Sequence, residues 1–162
     1  MQRMRRAVIV AVLALGPSIP RPSGACDPVP DSFPFAVDPA HASDTTPPSA
    51  VTGAAMVIPS SEADAGCGGT KCGSGGTRVV LQLQATDDRT PAGQLGFRLV
   101  AVGGQVPSGL VIPAAPLQGD FGSEVRLRFA QEPRGRFAFD LEVRAVDLAG
   151  NEGPPAVIAV RG

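Results

Sequence analysis

Two stretches of the sequence end in the same way. Leu81-x-Leu-x-Ala-x-Asp87 and Leu141-x-Val-x-Ala-x-Asp147 each place apolar residues at every second position and close on a carboxylate of the same parity. Period-two alternation marks a strand with one buried face, so each Asp ends a core-facing row. Asp88 follows the first directly, Asn151 stands four residues after the second, and Asp44 precedes both in Asp44-Thr45-Thr46-Pro47-Pro48. Carboxylate and amide oxygens gathered on loops are what Ca²⁺ takes, in sets of about six to eight. The same residue types also bend turns and cap strand ends with no ligand at all. The sequence holds no Asp-x-Asp-x-Asp-Gly loop. Asp44, Asp87, Asp88, Asp147 and Asn151 are therefore an expected calcium set only through the fold that gathers them.

Other chemistry is poorly served. His41 is the single histidine, and the chain has no Trp and no Tyr. A Ser-His-Asp or Cys-His arrangement would have to recruit His41 from a Pro-rich stretch. Asp87 and Asp147 could pair as glycosidase carboxylates, but a sugar cleft would lack its aromatic platforms. Gly73-Ser74-Gly75-Gly76 precedes a strand pattern, not a helix, so it is no phosphate cradle. A Cys₃His zinc set of Cys26, His41, Cys67 and Cys72 would consume every soft ligand in the chain, at spacings no zinc motif uses. The expectation is a non-enzyme, with calcium as the one cofactor worth testing. Cys67 and Cys72 lie within Gly66-Cys-Gly-Gly-Thr-Lys-Cys-Gly. Flexible glycines and an oxidising compartment lead us to expect a small disulfide there.

The compartment is read from the start of the chain. Arg3, Arg5 and Arg6 precede the apolar run Ala7 to Leu15, which is far short of the ~20 residues a membrane span needs. Pro17, Pro20 and Pro22 then break any helix, and Ser23-Gly24-Ala25 supplies small residues. These features read as a secretory signal peptide over residues 1–25. Ser23-Gly24-Ala25-Cys26 resembles the lipobox of bacterial lipoproteins, which implies lipidation of Cys26; Ser23 departs from the large aliphatic that pattern prefers. Simple cleavage near Ala25 is the open alternative. Without residues 1–25 the chain keeps 10 basic and 15 acidic groups, a net charge of −5. That balance disfavours nucleic acid. The expected location is extracytoplasmic, with membrane contact only through a lipid anchor.

The elements that must position the acids follow. Gly and Pro contribute 37 of 162 residues, which excludes long helices. Residues 26–48 carry six prolines and four acids, and read as an extended tether, with Phe33, Phe35 and Val37 able to add an edge strand. From residue 49 to 162 the pattern is of strands. Four alternate clearly: Thr77 to Asp87, Leu95 to Val102, Glu124 to Phe129 and Arg136 to Asp147. Val51 to Ile58, Leu110 to Ile112 and Ala156 to Arg161 are weaker. Turn residues separate them at Asp88 to Pro91, Gly103-Gly104, Gly119-Asp120, Glu132 to Gly135 and Ala149 to Asn151. Seven short strands at this spacing predict an all-β antiparallel sandwich.

The tail Ala145-Val146-Asp147-Leu148-Ala149-Gly150-Asn151 and the opening Asp44-Thr45-Thr46-Pro47-Pro48 resemble the penultimate turn and first-strand entry of bacterial immunoglobulin-like domains. The resemblance implies a seven-stranded immunoglobulin-like β-sandwich over 49–162. It lacks the paired core cysteines, core Trp and corner Tyr of antibody-type domains. In that topology the Asp87 and Asp147 strands are central in opposite sheets and end at one pole, with Asp44 and the Asp120 turn beside them. The functional expectation is a non-catalytic interaction or structural module of the cell envelope, its partner a protein or surface glycan. The alternatives are a calcium-stabilised adhesion-type module, and an accessory protein that handles carbohydrate or metal.

Overall fold

The structure is a computed structural model, and it describes residues 32–59, 76–120 and 123–162. Among these residues the chain forms β1 (Phe33–Pro34), β2 (Thr52–Ile58), β3 (Arg78–Gln84), β4 (Gly96–Gly104), β5 (Leu117–Gln118), β6 (Glu124–Arg128), β7 (Ala138–Val146) and β8 (Ala156–Arg161). Among the described residues helical structure is confined to two 3-10 turns, Pro39–His41 and Ala92–Gln94. One sheet has the order β1-β5-β4-β7-β8 and the other β2-β3-β6. Every pairing is antiparallel. No described helix is long and apolar enough to cross a membrane.

The alternating rows become the two facing walls of one core. Val79, Leu81 and Leu83 of β3 and Val125 and Leu127 of β6 form one wall. Phe97 and Leu99 of β4, Phe139, Leu141, Val143 and Ala145 of β7, and Ile158 and Val160 of β8 form the other. All of these are buried, and each large side chain contributes about 1.5–3 kcal/mol by leaving water. The all-β, two-sheet architecture expected from the alternation is present. The four clearly alternating segments hold β3, β4, β6 and β7, and Ala156 to Arg161 is β8.

Three regions differ from expectation. Leu110 to Ile112 makes a single bridge, Leu110 to Phe129, in place of a strand. Pro107 and Pro113 flank it, and proline cannot donate to a ladder. The described part of the Pro-rich stretch, residues 32–48, is mostly exposed but touches the sandwich along its length. The Ser32 hydroxyl donates to the Arg126 carbonyl at 2.9 Å and accepts from its amide at 3.0 Å. β1 pairs with β5, and the Asp38 amide donates to the Leu148 carbonyl at 2.7 Å. Phe35 lies over Gly96, where a Cβ would fall 2.4 Å from its ring, so only glycine leaves room. The third correction concerns the Cys67–Cys72 disulfide. No two cysteine sulfurs approach within 4.5 Å, more than twice the ~2.05 Å of an S–S bond, and the disulfide is withdrawn. All three cysteines, Cys26 included, lie outside the described residues.

The sandwich has two distinct ends. β3 leads into Asp87 and β7 leads into Asp147, and the loops beyond them touch where the Leu148 amide donates to the Thr90 hydroxyl at 3.2 Å. The starts of the same strands meet at the other end, where Phe129 and Phe137 stack with ring centroids 5.6 Å apart. The first end is acidic. The second carries Arg78, Arg128, Arg134, Arg136 and Arg161, at or near strand ends.

Candidate metal centre

Asp44, Asp87 and Asp88 each bring a carboxylate oxygen to within 4.8 Å of the other two. Asp44 comes from the entry to β2, and Asp87 and Asp88 from the loop after β3. Local turns aim the first two. Asp44 Oδ1 accepts from the Thr46 amide at 3.0 Å, the bond of an Asx turn. Asp87 Oδ2 accepts from the amides of Arg89 at 3.1 Å and Thr90 at 2.6 Å. Each of these carboxylates then has a second oxygen, Asp44 Oδ2 and Asp87 Oδ1, that is buried and has no hydrogen-bond partner. Asp44 is 4 % exposed, whereas Asp88 is open to solvent.

The electrostatics are one-sided. Three carboxylates at this spacing repel one another by on the order of 1–4 kcal/mol per pair. None of the three forms an ion pair with Lys, Arg or His among the described residues. A buried, unpaired carboxylate oxygen is costly, and two of them share this corner. A hard cation meets both demands at once. It neutralises the cluster and takes the free oxygens as ligands, while the exposed Asp88 side admits water to complete the shell. The donor set is all oxygen, which excludes soft-metal chemistry of the thiolate kind.

Asp147 and Asn151 reach the same pole in another role. Asp147 is fully buried, and both its oxygens are taken by Asn151: Oδ1 by the amide at 2.8 Å and Oδ2 by the side-chain Nδ2 at 2.7 Å. Gly150, with φ of +90°, lets the chain double back to close this turn. The Asn151 Nδ2 also donates to the Asp44 carbonyl at 2.9 Å. Asp147 and Asn151 therefore hold the Asp44 backbone in place and leave the free oxygens to the other three. Asp120 pairs instead with Arg126 at 3.3 Å.

Thr90 was not singled out in the sequence. It is 2 % exposed, and it ties the Asp87 loop to the end of β7 through Leu148. Its only signal was a polar residue just before a proline in a turn. His41 lies 4.0 Å from Asp38 in the 3-10 turn. No protein-family model matches this chain, and neither a curated protein nor a solved structure matches it.

Proposed function

We propose that this chain is an exported, non-catalytic, immunoglobulin-like β-sandwich module whose fold is completed by a divalent cation, calcium by its ligand chemistry, bound to Asp44, Asp87 and Asp88. One observation carries the metal reading: the Asp44 Oδ2, buried and unpartnered beside two further carboxylates. The strand order supports the immunoglobulin-like part, since β2-β3-β6 in one sheet facing β4-β7-β8 in the other is the crossing pattern of that sandwich. Export rests on the leader and on the lipobox-like Ser23 to Cys26. The metal would join the entry segment to the β3–β4 loop, so it would act on the placement of whatever the module presents. With three carboxylates and water as the shell, its affinity belongs with extracellular calcium modules, at a Kd of about 10⁻⁴–10⁻³ M. This favours the calcium-stabilised module over a metal-independent interaction domain.

The test is thermal unfolding of the full chain in millimolar Ca²⁺ and in chelator, repeated with Mg²⁺. The melting temperature should rise with Ca²⁺, rise less with Mg²⁺, and lose its metal dependence in Asp44→Asn. A melting temperature indifferent to every divalent ion sinks the proposal.

A further inference from the structure

The pole opposite the carboxylates holds a cleft of about 520 Å³. Its walls are the stretch after β4, with Gln105 and Ser108, and the stretch entering β7, with Arg134, Arg136 and Phe137. That volume lies within the roughly 300–1,000 Å³ typical of small-ligand sites. β7 separates this cleft, at Ala138, from Asp147 by about 30 Å, at about 3.3 Å per residue.

Nine arginines are described; four are ion-paired, and of the other five Arg78, Arg89 and Arg128 do not line the cleft. Arg98, Arg126, Arg144 and Arg161 are each ion-paired, to Glu152, to Asp120 and Glu124, to Glu142 and to Asp140. Arg134 and Arg136 are exposed and have neither an ion pair nor a hydrogen bond among the described residues. Both line the same cleft. The nearby carboxylate that could have neutralised them is committed elsewhere: Glu132 accepts from the Thr77 hydroxyl at 2.6 Å and the Thr77 amide at 2.9 Å. The floor is fixed. Phe137 sits in a row with Phe129 and Phe139, at centroid distances of 5.6 and 6.2 Å, and its backbone pairs with Gly162.

We infer that this cleft is a binding site for an acidic saccharide, with Arg134 and Arg136 taking a carboxylate or sulfate of the sugar. Guanidinium groups bind such anions through paired, charge-assisted hydrogen bonds. The Gln105 amide and the Ser108 hydroxyl offer the neutral donors and acceptors that sugar hydroxyls need. Phe137, packed against Phe129, Phe139 and Gly162, gives the cleft an apolar edge. An acidic peptide carries the same charge and can also pair with the Gln105 amide and the Ser108 hydroxyl through its backbone, so it is the rival that the titration must separate. The site is independent of the carboxylate pole, so it stands or falls apart from the metal proposal.

The experiment is calorimetric titration of the full chain with a tetragalacturonate, in chelator. Saturable binding is expected, with no heat from the neutral maltotetraose. The double variant R134Q/R136Q should bind at least tenfold more weakly at an unchanged melting temperature. Gln105→Ala, on the facing wall, should weaken binding severalfold. Absence of uronate binding at millimolar concentration overturns the inference. So does equal affinity in both variants, and so does a glutamate-rich peptide of the same charge that binds as tightly as the saccharide.

Discussion

The two poles of this sandwich hold opposite charges under opposite conditions. At the acidic pole Asp44 and Asp147 are buried, and turns and one amide lock the side chains in position: Thr46 and Thr90 amides fix Asp44 and Asp87, and Asn151 fixes Asp147 and the Asp44 carbonyl. At the basic pole Arg134 and Arg136 stand exposed over a cleft, with no ion pair or hydrogen bond among the described residues. Burial makes charge expensive, so the acidic pole is tied to stability. Exposure makes charge nearly free, so the basic pole can be tuned for a ligand without cost to the fold. Substitutions at the two ends should therefore be read by different measurements.

The sharpest break is Asp147→Ala. It removes a fully buried carboxylate and strips the partner from the half-buried Asn151 amide and side chain, and should cost about 3 kcal/mol in urea unfolding. Next comes the metal increment. At a hundredfold excess over Kd, a cation bound only by the folded state adds about 2.7 kcal/mol. Asp44→Asn should reverse sign with conditions. It should lower stability in saturating Ca²⁺, yet raise or preserve it in chelator, because one of three crowded like charges is gone while the Thr46 bond keeps its acceptor. A parallel loss in both conditions would mean that Asp44 is structural only.

The basic pole gives smaller effects. The Thr77 hydroxyl, and then the Thr77 amide, hold the Glu132 carboxyl below the usual glutamate range. A value depressed in the folded state gives stability that is complete above the unfolded value and lost as pH falls through the folded one. Glu132→Gln should therefore lose that increment at neutral pH and change little at pH 3, which flattens the acid side of a stability–pH curve, as followed by the denaturation midpoint from pH 7 to 3. Smallest of all is R134Q/R136Q, which should move stability by no more than about 0.5 kcal/mol, against its large expected loss of saccharide binding. A large destabilisation there would erase the contrast between the poles.

Much of the frame was legible in the alternation. Strands β3, β6 and β7 each put an apolar residue at every second position, and a one-residue slip would have exposed the whole row. The acidic pole was legible as a set of residues but not as a division of labour. Asp147 and Asn151 lie four apart in a tight turn, so each satisfies the other, whereas Asp44 and Asp87 spend one oxygen on a local turn and keep one spare. That distinction depends on hydrogen-bond partners, which spacing does not encode. The basic pole went unread because Arg78, Arg128, Arg134, Arg136 and Arg161 are scattered along the chain. They fall at the starts of β3 and β7 and the ends of β6 and β8, which antiparallel pairing brings to one end. β1 falls within the alternation of Phe33, Phe35 and Val37, whereas β5 is a two-residue strand too short for any period to show.

The Asn151–Asp44 bond joins residues 107 apart in sequence, and it sets how the domain would bear load. Tension on residues 32–43 reaches Asp44 before it reaches β2. There the Asn151 bond passes part of it to the turn after β7, a strand flanked on both sides by β4 and β8. Ladder bonds lie across the strands, so a pull along β7 shears many of them together, whereas a pull on the edge strand β2 would unzip them one by one. A cation across Asp44, Asp87 and Asp88 would bolt that junction and raise the force at which the domain opens.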